Sequence, residues 1–313
     1  MKHTEALLKA EKFQQKMEKI AQNDYWRPQY HIAAPANWIN DPNGFCFYKG
    51  EYHLFYQYHP YSSQWGPMHW GHVASKDLAD WEHRPIALAP TDEYDKDGCF
   101  SGSAIENDGK LYLLYTGHVD LDNSNGGNDR IETQCLAVSD DGKHFEKVEN
   151  NPVIKALPEN LNIRTEHFRD PKVWKHGDWY YTVVGVQTKE ESGQVVVYKT
   201  QDLINWEFLN IMATSSVKEN LGFMWECPNF AEVNGHEALI LSPQGVKSEG
   251  NKFLNVHQSG YFLGKMDYQT GIFHRDSKFD LLDYGFDFYA PQIMQDEKNN
   301  RCLMIGWLAM WES

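Results

Sequence analysis

The chain has 313 residues, 41% hydrophobic and 14% aromatic, with 11 Trp, 17 Tyr and 16 Phe, a composition that excludes a disordered, low-complexity or collagen-like protein and favours aromatic-rich β structure. With 29 Lys and Arg against 44 Asp and Glu the net charge is −15, so neither nucleic acid nor an anionic membrane is an expected partner. Apolar runs are short and the N-terminus is charged throughout, which predicts no membrane span, no signal peptide and a cytoplasmic protein.

In chain order, the first predicted element is an amphipathic helix over residues 4–22, with lead-in to residue 30. Ala6, Ala10, Phe13, Met17 and Ile20 recur at alternating spacings of four and three and draw one apolar stripe, which predicts docking on the body of the protein. The cysteines Cys46, Cys99, Cys135, Cys227 and Cys302 are odd in number and lack a CxxC pair, which suits reduced, packed thiols. His69 and His72 in HWGH are read as hydrogen-bonded structural residues, so no metal is predicted.

From residue 31 the text repeats. DPNGFCFYKGEYHLFYQY from Asp41, SGSAIENDGKLYLLYTG from Ser101, DPKVWKHGDWYYTVVG from Asp170, CPNFAEVNGHEALILSP from Cys227 and APQIMQDEKNNRCLMIGW from Ala290 share a strand–turn–strand pattern, with starts 60, 69, 57 and 63 residues apart. A second phrase, SKDLADW, SDDGKHF and TQDLINW, follows the first three, and a looser MDYQTGIF follows the fourth. Such a period predicts an all-β, five-bladed β-propeller over residues 31–313, each blade a four-stranded antiparallel sheet with its first strand innermost. A β-sandwich with irregular hairpins is the alternative, and the regular spacing argues against it.

A propeller brings the residues that open each repeat to one end of its axis. Asp41, Asp170 and Glu226 hold equivalent or neighbouring positions in repeats one, three and four. Each of NDPNG and RDP is by itself only a good turn; their shared register is what predicts convergence. Three carboxylates around an aromatic and amide funnel suit a glycosidase. No phosphate loop, dinucleotide fingerprint, GxSxG or HExxH is present.

The motifs WINDPNG, LFYQY, QWG, FSGSA, FRDP, ECP and YAPQ, in this order over residues 31–311, resemble the β-fructofuranosidases of glycoside hydrolase family 32. WGPMHWGH and the N-terminal helix resemble its bacterial sucrose-6-phosphate hydrolase branch in particular. The resemblance implies Asp41 as nucleophile, Glu226 as general acid/base and Asp170 as the stabiliser holding fructosyl hydroxyls. It implies Asn40, Gln57, Trp65, Phe100, Ser101 and Arg169 as lining of the fructose pocket, with Tyr289 and Trp307 completing the wall. It implies no cofactor, and a small sugar as substrate: sucrose 6-phosphate, sucrose or a short fructan.

Asp41, heading a turn rich in N–H donors, is expected to be ionised, and Glu226, between Trp225 and Cys227, to be desolvated and able to donate a proton. For a phosphate on the leaving sugar, Arg130, Lys247 and Lys252 are the candidate cations. The family normally continues into a C-terminal β-sandwich, which is expected to be absent here, with the fifth blade incomplete. Rival readings are an inverting five-bladed glycosidase, a fructosyltransferase and a non-catalytic fructoside-binding propeller.

Overall fold

The structure, a computed structural model, describes residues 1–121, 129–215 and 219–311. Helix α1 spans His3–Ala21, where the apolar spacing placed it. Its inner face is short. Ala10 is fully buried, Phe13 meets the Tyr61 ring edge-on at 5.3 Å, and His3 Nε2 accepts the Ala89 N–H at 3.1 Å. Ile20, predicted to share the stripe, is exposed.

The first blade holds β1 (Trp38–Tyr48), β2 (Glu51–His59), β3 (His69–Ser75) and β4 (Trp81–His83) in sequence order. The second holds β5 (Gly98–Asn107), β6 (Lys110–Asp120), β7 (Arg130–Ser139) and β8 (Glu146–Lys147). The third holds β9 (Ile163–His176), β10 (Trp179–Thr188), β11 (Gly193–Thr200) and β12 (Glu207–Thr214). The fourth holds β13 (Met224–Val233), β14 (His236–Gln244), β15 (Gly260–Asp267) and β16 (Ile272–Arg275), with β17 (Asp280–Leu281) pairing β15. The fifth repeat gives only the hairpin β18 (Tyr289–Asp296) with β19 (Arg301–Trp307).

The arrangement is propeller-like, with four blades and not the five predicted from the repeat count. The fifth repeat supplies two strands where a blade needs four. Each innermost strand packs on the next, and β18 lies between β13 and β1, so the ring closes. Core clusters fill the gaps between neighbouring blades: Phe55, Trp70, Leu113 and Tyr115 between the first and second, Val183, Val195, Trp225 and Leu239 between the third and fourth. Burial on both faces explains runs such as TVVGV and VVVY, which do not alternate.

The second repeated phrase is a turn device. Ser75, Ser139 and Thr200 donate to Asp77, Asp141 and Asp202 at 2.9–3.0 Å, and each aspartate accepts backbone N–H groups two and three residues on. These Asx turns connect the third strand of a blade to its fourth.

Among the described residues no helix is long and apolar enough to cross a membrane. The buried histidines of HWGH have protein partners: His69 Nδ1 lies 3.0 Å from the Pro67 carbonyl, and His72 Nε2 lies 3.0 Å from His53 Nδ1.

Candidate active site

Every innermost strand carries a bulge at the residue that opens its repeat. Pairing slips between Ile39 and Pro42, Phe100 and Gly102, Arg169 and Lys172, Glu226 and Asn229, and Tyr289 and Gln292. Pro171, Pro228 and Pro291 stand inside three of these slips, where the ladder needs no N–H. Asp170, Cys227 and Ala290 adopt positive φ of 67°, 45° and 50°, a strain of about 1–3 kcal/mol each that a functional bulge characteristically holds. The bulges turn side chains from the blade faces toward the axis.

There they line a cavity of about 620 Å³. Its walls include Asn40, Asp41, Gln57, Trp65, Phe100, Ser101, Arg169, Asp170 and Glu226, so the structure brings together all three predicted carboxylates and six of the eight predicted sugar contacts. Tyr289 lies behind the surface and reaches it through its hydroxyl, 2.7 Å from Glu226 Oε2. Trp307 does not line the cavity. It packs behind, against Trp38 and Trp311, and Trp311 takes the wall position.

Asp41 is nearly buried inside β1, and the turn predicted around it is instead strand, its irregular residues absorbed as bulges. Its donors are side chains: Ser101 Oγ at 2.7 Å and Cys227 Sγ at 3.7 Å on Oδ2, Asn40 Nδ2 at 3.1 Å on Oδ1. Burial pushes its carboxyl up to about 6; nearby Glu226 adds to the rise, and the Ser101 and Asn40 hydrogen bonds oppose it. Asp41 is therefore ionised above about 6, and the donors that favour its anion are side chains and not the backbone groups expected from the sequence.

Asp170 Oδ2 accepts the Cys227 N–H at 2.9 Å. The Cys227 thiol stands between this oxygen and Asp41, 3.6 and 3.7 Å away. Burial raises Asp170 well above the ordinary carboxylate range; Arg169, 4.0 Å away, opposes the rise while Glu226 and Asp41 add to it.

Glu226 is held by polar groups and not merely desolvated. Arg169 Nε and Nη2 both donate to Oε1, at 3.1 and 2.8 Å, while Gln244 Nε2 donates to Oε2 at 2.9 Å. Guanidinium groups donate only, whereas a tyrosine hydroxyl can reverse. The oxygen able to carry an exchangeable proton is accordingly Oε2, opposite Tyr289. Arg169 is itself held from behind by Glu132, wholly buried on β7, whose Oε2 lies 3.3 Å from Nη1 and accepts the Phe168 N–H at 2.8 Å. Burial would raise Glu132, but Arg169 and His118 hold it down at about 2.

Of the three candidate phosphate cations only Arg130 lines the cavity. Lys252 is turned to Asp280, 3.3 Å away, and Lys247 is exposed on the same outer loop. Sequence reasoning missed Arg164, His167, Gln187 and Gln244, which do line it. The two glutamines were findable, since Gln57, Gln187 and Gln244 all lie within the last three residues of the second strand of a repeat.

A ring of bulged strands presenting paired carboxylates in a polar cavity is compatible with the chemistry of a glycosidase. The chain belongs to glycosyl hydrolase family 32: residues 31–313 match the family's N-terminal domain. It is 45% identical to a sucrose-6-phosphate hydrolase of Zymomonas mobilis over 98% of this chain and 60% of that one, and 47% identical to one from Escherichia coli over 91% and 58%. Among solved structures it resembles a Bombyx mori β-fructofuranosidase with sucrose bound, at a TM-score of 0.89 and 45% identity, over 98% of this chain and 63% of that one. The Lactobacillus gasseri sucrose-6-phosphate hydrolase superposes at 0.83 with 32% identity, covering 96% and 60%. The chain thus spans about three fifths of these relatives' length.

Proposed function

We propose that this chain carries the catalytic site of a retaining β-fructofuranosidase acting on sucrose 6-phosphate or sucrose. The observation that carries the reading is the asymmetry of the two facing carboxylates. Among the described residues Asp41 has no cation against it, as suits a nucleophile, whereas Glu226 is gripped by Arg169, Gln244 and Tyr289. In the first step Glu226 protonates the glycosidic oxygen from Oε2 while an Asp41 oxygen attacks the fructosyl C2 and the C–O bond to the leaving sugar breaks. In the second, Glu226 takes a proton from water, which displaces Asp41 and releases fructose with retained configuration.

Asp170 Oδ1, which has no partner among the described residues, accepts fructosyl hydroxyls, and Gln57, Phe100 and Ser101 shape the pocket. The working unit is the region from residue 31, with α1 as a buttress and the β18–β19 hairpin closing the ring between the fourth blade and the first. Five free thiols support a reducing, cytoplasmic setting. Incubation with sucrose and sucrose 6-phosphate, with fructose release as readout, tests the reading; absence of release from both would remove it.

A further inference from the structure

One wall of the cavity, where the second and third blades meet, is cationic although the chain carries a net charge of −15. Arg130 opens β7, and Arg164 and His167 lie near the start of β9. All three line the same cavity as the carboxylates but nearer its mouth, where the Arg164 side chain is 39% exposed. The carboxylates line the same cavity, so the leaving sugar of a fructosyl group held on them lies within reach of its walls.

The state of His167 follows from its neighbours. Its Nδ1 lies 3.0 Å from Arg169 Nη1, and a guanidinium cannot accept a hydrogen bond, so Nδ1 is the acceptor and Nε2 carries the proton. Nε2 has no partner among the described residues. Burial, then Arg169, with Arg130 and Arg164 adding, lower His167 to about 4, so the ring is neutral at pH 7.

Among the described residues, two carboxylates stand against these arginines. Glu132 Oε1 stands 3.9 Å from Arg130 Nη1 but is wholly buried and shared with Arg169. Glu191 Oε1 stands 3.0 Å from Arg164 Nη2, on a turn with its side chain 64% exposed. A pair this exposed is worth roughly 0–1 kcal/mol, so a dianion can displace it.

We infer that Arg130, Arg164 and His167 form a phosphate subsite that makes this protein prefer a substrate phosphorylated on its leaving sugar. Two planar forks and one N–H donor match the oxygens of a phosphate monoester, as lysines on an outer loop would not. The inference rests on the fructosidase reading, and its test separates the two.

The ratio of kcat/KM for sucrose 6-phosphate over sucrose is measured in the whole chain and in Arg164→Gln, Arg130→Gln and Glu191→Gln. The ratio falls about tenfold or more in each arginine variant, rises in Glu191→Gln, and declines with added salt. In parallel, both sugars and inorganic phosphate are titrated calorimetrically into Asp41→Asn, with and without Arg164→Gln. Tighter binding of the phosphorylated sugar, lost with Arg164→Gln, supports the subsite even if no turnover is found, a result that would overturn only the fructosidase reading. Equal binding and equal kcat/KM for the two sugars, or arginine variants that leave the ratio unchanged, would overturn the subsite.

Discussion

Arg169 donates from Nε and Nη2 to one oxygen of Glu226, at 3.1 and 2.8 Å, and leaves the other to Tyr289 and Gln244. One residue thereby fixes both the orientation of the carboxyl and which oxygen can carry a proton. Arg169→Lys replaces the fork with a point charge that cannot cover Oε1 in the same way. The expected outcome is a fall in kcat of about a hundredfold with the fold intact, checked by steady-state kinetics alongside a melting curve.

Glu132 shares Arg169 with Glu226, so its charge is felt at the site without contact with substrate. Glu132→Gln keeps an acceptor and removes a negative charge, leaving Arg169 more strongly positive toward the acidic groups in front of it. Both limbs of the pH profile of kcat/KM are expected to move to lower pH, by about half a unit or more. Unmoved limbs with lowered Tm would assign Glu132 to packing alone.

On the proposed reading Asp41 sets the acid limb. Burial pushes its carboxyl up to about 6, so it is ionised above that pH, and loss of the Ser101 hydroxyl removes a bond that favours the anion. Ser101→Ala should therefore shift the acid limb upward, by about one pH unit. A downward shift would mean that Ser101 does not stabilise the anion.

The same burial costs stability. The folded state binds the Asp41 proton more tightly than the unfolded chain, whose carboxyl titrates at 3.8, so this contribution is present below about 4 and lost as pH rises to about 6. Asp41→Asn should abolish turnover, lowering kcat at least about a thousandfold, yet at pH 7 stabilise the protein by up to about 3 kcal/mol. Thermal melting at pH 4 and pH 7 checks it: the gain appears only at the higher pH.

Much of this site was legible in the sequence because a repeat converts position into geometry. Asp41, Ser101, Asp170, Cys227 and Ala290 opened the repeats, and each is a bulged residue at the axis. The strands themselves extend further back than the repeats: β9 begins at Ile163, seven residues before Asp170, and that extension is what carries Arg164 and His167 to the mouth. Neither has an apolar or turn signature. Trp307 and the loop lysines were misplaced for a related reason, since side-chain direction beyond a bulge depends on the bulge and not on the alternation of the strand.

Helix α1 docks through His3, Ala10 and Phe13, on a face ending before Ile20. Deleting residues 1–24 should lower Tm by a few degrees, since it uncovers Tyr61 and the first-blade core, without moving the pocket residues. An unchanged Tm would make the helix an appendage.

The central claim is that Asp41 forms a covalent bond to the fructosyl group. In Glu226→Gln, a β-fructofuranoside with a good leaving group can complete the first step without an acid while the second lacks its base, so the intermediate accumulates. Mass spectrometry of the quenched and digested protein should find one fructosyl unit on the peptide holding Asp41, and none when Asp41→Asn is added. Release of the leaving group with no adduct at Asp41, or an adduct on Asp170 instead, would contradict the account.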